Sequence, residues 1–184
     1  MGRRRLSGGT EINVRALLLL TVMLFLASPV HAADAEAVSQ RTYLVHVKTL
    51  MDGDTDRTVL VPQMIAGALK KGHKVALLFD AEGVLSLKMG RWFGGHSTSI
   101  DRVEITAKER LHLAGLLGTT PEGLPEIYGS LLHFLKGRGV SVYVNKQALL
   151  LRGIDDEHFD HVAEAVGEER IIELLSTAGT YVSY

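Results

Sequence analysis

Cysteine is absent from all 184 residues of the chain. The thiolate of cysteine is the group that attacks electrophiles, carries persulfide sulfur and binds soft metal ions. Its absence excludes disulfides, thiol or persulfide transfer, thiolate metal sites and iron–sulfur clusters. The composition, with 46% hydrophobic and 22% charged residues, is that of a folded globular protein. A chain of this size can be held together by an ordinary apolar core.

Acidic residues are scarce at the N-terminus, which has the pattern of a secretory signal peptide. Four arginines come first, and residues 16–27 (ALLLLTVMLFLA) carry no charge. Val30 and Ala32 then occupy the minus-three and minus-one positions of a cut after Ala32. The alternative is a retained membrane anchor, but a spanning helix needs about 20 apolar residues. Because the uncharged stretch 16–30 has only 15 residues, cleavage is favoured.

We therefore expect an exported, periplasmic protein with three parts. Residues 1–32 are the predicted signal peptide, residues 33–40 a flexible lead, and residues 41–184 a single domain. Cleavage leaves 16 basic and 20 acidic residues, a net charge of −4. A mildly acidic domain is a poor match for a phosphate backbone, so nucleic acid is not an expected partner. After cleavage no membrane contact is expected either.

The pattern of apolar residues predicts an α/β fold. A strand at 43–47, a helix at 59–71 that ends at Gly72, and a near-continuous apolar strand at 74–79 form a βαβ unit. Pro62 favours a regular part of that helix starting near the proline. Residues 83–106 are expected to form a long irregular surface excursion. The further predicted elements are helices at 107–117, 124–136 and 168–177, and strands at 140–144 and 180–184.

Two segments carry a resemblance to a known family. They are GHKV at Gly72–Val75 and GVSVYVNKQALLLRGI at Gly139–Ile154. Together with the order of elements, they make residues 43–184 similar to the DsrE/DsrF-like family, most weakly across 83–106. The resemblance implies a flavodoxin-like, mostly parallel sheet of about five strands with helices on both faces. It also implies assembly into trimers or hexamers.

Several members of that family relay sulfur as a cysteine persulfide. In those members one cysteine follows the VYV-type strand, sometimes with a second cysteine three residues later, before an Arg-Gly pair. The corresponding residues here are Asn145 and Ala148, whereas Arg152 and Gly153 match the pattern. A carboxamide has no ionisable nucleophilic group, so the resemblance implies the scaffold without the sulfur transfer.

The candidate ligand-binding residues follow from that position. Asn145 ends a strand at the edge where open α/β sheets place their ligands, so it is either a ligand-orienting amide or a turn former that bonds nearby backbone. Lys146 and Arg152 are candidates for a small anion pocket, and Gly153 completes the set. No cofactor is expected.

Other polar groups suggest weaker sites. His158 and His161, with nearby carboxylates, are a candidate zinc or copper site, set against the reading of a solvated acidic helix start. Asp52, Asp54 and Asp56 resemble a calcium loop but lack its glycine and final glutamate, which favours helix capping. His46 and His133 could act as general bases, but we expect them to be packed histidines. The aromatic residues Trp92 and Phe93, beside Arg91, are candidates for a lid or an interface anchor.

Three functions remain open from the sequence. The first is a non-enzymatic DsrE/DsrF-like module that binds a small ligand or a protein partner after strand 140–144, with a link to sulfur metabolism. The second is a metal-dependent or acid–base enzyme that uses His158 and His161. The third is a structural subunit that assembles with cysteine-bearing relatives.

Overall fold

The structure, a computed structural model, describes residues 40–52, 56–90 and 97–184. The predicted signal peptide and nearly all of the lead lie outside these ranges, as do Asp54, Arg91, Trp92 and Phe93. Within them, no helix combines the length and the apolar character that a membrane span requires.

Five strands form one parallel sheet in the order β4-β3-β2-β1-β5. Apolar runs produce the central strands, and β2 is buried along all but its first residue. The predicted flavodoxin-like α/β arrangement is therefore confirmed. The strands are β1 (Thr42–Val47), β2 (Lys74–Phe79), β3 (Ser141–Asn145), β4 (Glu164–Val166) and β5 (Thr180–Ser183).

Helices connect the strands, and short 3-10 turns fill the longer connections. The helices are α1 (Asp56–Lys70), α2 (Ala107–Leu117), α3 (Tyr128–Gly137), α4 (Lys146–Leu151) and α5 (Glu168–Thr177). The 3-10 turns are Gly83–Leu87, Ile100–Arg102, Pro121–Gly123 and Asp156–His158.

Apolar side chains alternate between the two faces of the sheet and create two separate cores. On what we call the first face, Val45, Leu77 and Val142 pack in one large cluster with buried residues of α1, α2, α3 and α4. On the second face, Leu44 and Leu78 pack against α5 in a much smaller cluster. Three layers result, with helices on both sides of the sheet.

Four local expectations need correction. The helix predicted at 124–136 is α3, which begins only at Tyr128 and ends at Gly137. Helix α1 begins at Asp56 and runs through Pro62, because the apolar stripe around the proline, including Val61 and Ile65, is buried in the first-face core. The segment 83–106 is not only a surface excursion, since Val84 and Ile100 are also buried there. No α-helix begins within the described residues 155–161, where an acidic helix start was expected; this segment makes only a 3-10 turn at Asp156–His158.

Candidate functional site

Polar side chains from four neighbouring strands meet at the carboxyl edge of the sheet. His46 lies near the end of β1, Asp80 directly follows β2, and Asn145 ends β3. The parallel register sets Phe79 beside Val144, which brings Asp80 level with Asn145. Tyr181 of β5 joins them from the far side of β1. We call His46, Asp80, Asn145 and Tyr181 the edge cluster.

Asp80 is the centre of the edge cluster. Its Oδ1 accepts hydrogen bonds from Asn145 Nδ2 at 2.8 Å and from the backbone N–H of Ala81 at 2.7 Å. Its Oδ2 lies 3.1 Å from His46 Nε2. Partial burial raises the pKa of Asp80, but these hydrogen bonds outweigh burial and hold the pKa below its ordinary value of 3.8. Asp80 is therefore a carboxylate at neutral pH, with 25% of its side chain exposed.

His46 is the most buried member of the edge cluster, with 4% exposure. Burial lowers its pKa below 6.5 against the opposing effect of Asp80, so the ring is neutral at neutral pH. The carboxylate of Asp80 can only accept, which assigns the ring proton to Nε2. Nδ1 then carries the lone pair, and it lies 3.0 Å from the hydroxyl of Tyr181, which donates to it.

Tyr181 carries this chain of hydrogen bonds to the surface. Its side chain lies on the second face of the sheet, level with Leu44, and the residue is 45% exposed. Its ring meets the imidazole of His46 edge-on, at 5.9 Å between centroids and 71° between planes. The edge cluster is therefore buried at His46 and open to solvent at Tyr181 and Asp80.

Asn145 joins the edge cluster to helix α4. Its Oδ1 accepts from the backbone N–H groups of Gln147 at 2.9 Å and Ala148 at 3.4 Å, which makes it the N-cap of α4. The structure thus places Asn145 at the mouth of the sheet, as expected, and gives its amide the backbone contacts of the turn-forming alternative. Ligand binding by this amide stays a prediction.

The other predicted binding residues lie along α4. Lys146 is exposed at its first position, and Arg152, after its last, pairs with Glu82 at 3.3 Å. Gly153 adopts φ +62°, the left-handed conformation that lets backbone bonds close the helix, from Gly153 to Leu150 and from Ile154 to Leu149. The anion pocket stays a prediction, with the charge of Arg152 already shared with Glu82.

The backbone that carries Asp80 is held tightly. Ala81 has φ +49°, a conformation that is unfavourable for a residue with a Cβ. Two residues later, Gly83 packs so closely on the carbonyl of Val47 that a Cβ there would collide with it. Backbone bonds from Asp80 to Val47 and from Glu82 to Lys48 complete the turn.

The predicted metal site does not come together in the described part of the chain. There, no group of three or more histidine, aspartate or glutamate side chains is placed to hold a metal ion. His158 lies 3.7 Å from Asp155, while His161 packs against the ring of Phe159. His133, on α3, contacts Asp160 at 3.1 Å. Of the calcium-like loop, Asp56 opens α1, and Asp54 lies outside the described residues.

Sequence reasoning missed Asp80 and Tyr181. Asp80 had a usable signal, because it is the first polar residue after the apolar run at 75–79 of β2, the position where parallel sheets present ligand-binding groups. Tyr181 had no such signal, since its approach to His46 depends on β5 lying beside β1. None of the edge-cluster residues lines either the core cavity of about 20 Å³ beneath α1 and α3 or the groove of about 390 Å³ beside Lys88 and Arg102.

Comparison with known proteins leaves the family open. No family model matches the chain, and no curated protein matches it. Among solved structures, it is similar to MTH1491, a protein of unknown function from Methanobacterium thermoautotrophicum. The identity is 15% and the TM-score 0.47, over 79% of this chain and 100% of that one. The fold therefore rests on the sheet and helices described above, and the DsrE/DsrF-like resemblance stays a prediction.

Proposed function

We propose that this chain is an exported, DsrE/DsrF-like module that binds a small polar ligand at the carboxyl edge of its sheet. The edge cluster is the observation that carries the proposal. His46 and Asn145 contact the ionised, partly exposed carboxylate of Asp80 there, and Tyr181 joins them through His46. The carboxyl ends of parallel strands are where open α/β sheets bind their ligands.

The charges at the edge define the chemistry of the ligand. Asp80 accepts hydrogen bonds only, so its exposed side favours an ammonium or amide donor. Lys146 at the start of the adjoining helix α4 favours a negative group, and Arg152 just after the end of α4 adds positive charge that it shares with Glu82. A small zwitterion, with an amine and an acidic group a few bonds apart, suits both. Since Asn145 stands where relatives carry cysteine, a sulfur-containing ligand would be bound rather than chemically changed.

The test uses three probes of different charge. Glycine, glycinamide and thiosulfate are titrated into the ¹⁵N-labelled protein while the side-chain amide signals of Asn145 are followed. Glycine is expected to shift these signals in the wild type and in the control Glu173→Gln, which alters an exposed carboxylate on α5. Asp80→Asn is expected to weaken the response at least tenfold. No response to any probe, or an equal response in Asp80→Asn, contradicts the proposal.

Self-association is part of the same proposal. Ile172 and Leu175 of α5 are 57% and 42% exposed, and exposed apolar side chains on one helix favour an interface. Native mass spectrometry should detect a trimer or hexamer, and Ile172→Glu should shift it towards monomer. A monomeric wild-type protein would contradict the proposed self-association without bearing on ligand binding.

Export is tested on the precursor itself. Expression of the full chain in a bacterial host with a periplasm should give a smaller, processed form in the periplasmic fraction. A new N-terminus at Ala33 is expected, and an unprocessed chain in the membrane fraction would favour the anchor instead.

A further inference from the structure

The edge cluster contains a linear chain of three titratable groups. Asp80 holds the Nε2 side of His46 at 3.1 Å, and Tyr181 reaches the Nδ1 side at 3.0 Å. The carboxylate is fixed in turn by Asn145 and by the backbone N–H of Ala81. Exposure rises along the chain from the buried imidazole to the half-exposed phenol.

This order of groups is that of an activated nucleophile. In such arrangements a hydroxyl lies within hydrogen-bond reach of a neutral base, and a third group orients the base through its other nitrogen. His46 meets both conditions, because its proton is committed to Asp80 and its lone pair faces Tyr181. The two ring nitrogens are used in the opposite sense to the serine protease triad, where the carboxylate holds Nδ1.

We propose that Tyr181 is a base-activated nucleophile, with His46 as its general base and Asp80 as the residue that positions His46, and that it accepts acyl groups from activated esters. This inference rests on the proposed function only in using the same edge of the sheet. It adds a reaction to a site that would otherwise only bind.

Acyl transfer from an ester to Tyr181 needs only the side chains of Tyr181, His46 and Asp80. The phenolic oxygen of Tyr181 forms a bond to the carbonyl carbon of the ester, while its proton passes to Nδ1 of His46. The bond from that carbon to the leaving oxygen breaks, and the leaving group departs as an alkoxide or phenolate. The imidazolium formed on His46 is stabilised by the carboxylate of Asp80, and release of its proton to water restores the base.

A second tyrosine on the same face provides a matched control. Tyr143 lies on β3, and its hydroxyl accepts a hydrogen bond from Arg170 at 3.1 Å. No base contacts that hydroxyl among the hydrogen bonds of the described residues. Tyr143 therefore tests what a partly exposed phenol does without an imidazole.

The experiment exposes the full-length protein to p-nitrophenyl acetate at neutral pH. Release of p-nitrophenolate is followed, and the acetylated residues are located by peptide mass spectrometry. Tyr181 is expected to be acetylated first and Tyr143 hardly at all. His46→Gln should slow acetylation of Tyr181 about 100-fold, the range of general-base catalysis. Tyr143→Phe should leave the rate unchanged.

The variant Asp80→Asn tests whether Asp80 positions the His46 ring for proton transfer or only contributes to the fold. It also provides a test of the proposal if His46→Gln does not fold. Among the described residues, Asp80 raises and Lys48 lowers the pKa of His46, so loss of the Asp80 charge lowers that pKa further. The pH profile of Tyr181 acetylation should then move to lower pH and its plateau should fall at least tenfold. An unchanged profile and plateau overturns the role of Asp80.

The remaining outcomes are decisive. Acetylation of Tyr181 no faster than that of Tyr143, or at the wild-type rate in His46→Gln, overturns the proposal. Glycine binding with an unreactive Tyr181 removes only this inference. A reactive Tyr181 with no response to the three binding probes removes only the proposed ligand site.

Discussion

The two faces of the sheet differ in how they are covered. Helices α1 to α4 and the residues between them build a large apolar core on the first face, while α5 alone provides the smaller one on the second. The chain of hydrogen bonds from His46 to Tyr181 lies on the thinly covered side. The first face therefore supplies most of the buried apolar area that stabilises the fold, whereas the second face leaves polar groups accessible to solvent.

The largest effect expected comes from truncating matched leucines on the two faces. Leu131 of α3 lies in the first-face core and Leu174 of α5 in the second-face core. We expect Leu131→Ala to lower the free energy of unfolding by about 3 kcal/mol and Leu174→Ala by about 2 kcal/mol, because a small cluster loses fewer contacts. Urea denaturation of both variants measures the difference. A larger loss for Leu174→Ala would reverse the comparison.

Asn145 ties the polar edge to the first-face helix α4, and removing it should weaken both. Asn145→Ala loses a helix cap and a hydrogen bond to a carboxylate, together about 2 kcal/mol of unfolding free energy. Asn145→Asp keeps the capping oxygen but sets a second carboxylate against Asp80. Urea midpoints that are unchanged in both variants would show that the edge is not coupled to α4.

The buried imidazole should make stability depend on pH. The pKa of His46 is lower in the folded protein than its unfolded value of 6.5, so the unfolded chain binds more protons in that range. Stability should therefore be complete above pH 6.5 and fall as the pH drops below it, by no more than about 1.4 kcal/mol per pH unit. Folding also lowers the pKa of Asp80, so its carboxylate adds a further loss of stability only as the pH falls below 3.8. Thermal melts at pH 7 and pH 5 should show a smaller drop for His46→Gln than for the wild type.

The smallest effect concerns the turn after β2. Ala81→Gly removes the left-handed strain of alanine but gives the unfolded chain more freedom, so the two contributions nearly cancel. We expect the free energy of unfolding to change by less than about 0.5 kcal/mol. A change of the p-nitrophenyl acetate rate without a change in urea midpoint would show that this turn sets the position of Asp80.

The elements that the sequence predicts best are those with strong local signals. The bounds of β2, α2 and α5 agree with the predictions: β2 is apolar after its first residue, and α2 starts at a Thr106–Glu109 capping box. Strand β4 was missed because three residues that begin with Glu164 show no periodicity. Helix α4 was missed because its six residues are too few for a helical pattern.

The candidate site divides in the same way. Asn145 could be placed at the sheet edge because it directly follows the apolar residues of β3. The sequence marks His46 as a candidate but does not predict its contacts with Asp80 and Tyr181, because the order of the strands brings these residues together and not their spacing in the sequence. The contact of Asp80 with His46 requires that β2 pairs with β1, and the contact of Tyr181 with His46 requires that β5 pairs with the other side of β1.

The hydrogen bond between His46 and Tyr181 spans 135 residues of sequence. We expect a contact this distant in sequence to form late in folding, because the entropy of a large loop must be lost before the contact contributes any stability. The pairing of His46 with Asp80 spans only 34 residues and belongs to the first βαβ unit. Opening of β5 alone would thus separate the phenol from the imidazole and leave the imidazole–carboxylate pair in place, a reversible way to disconnect one end of the chain of hydrogen bonds from the other.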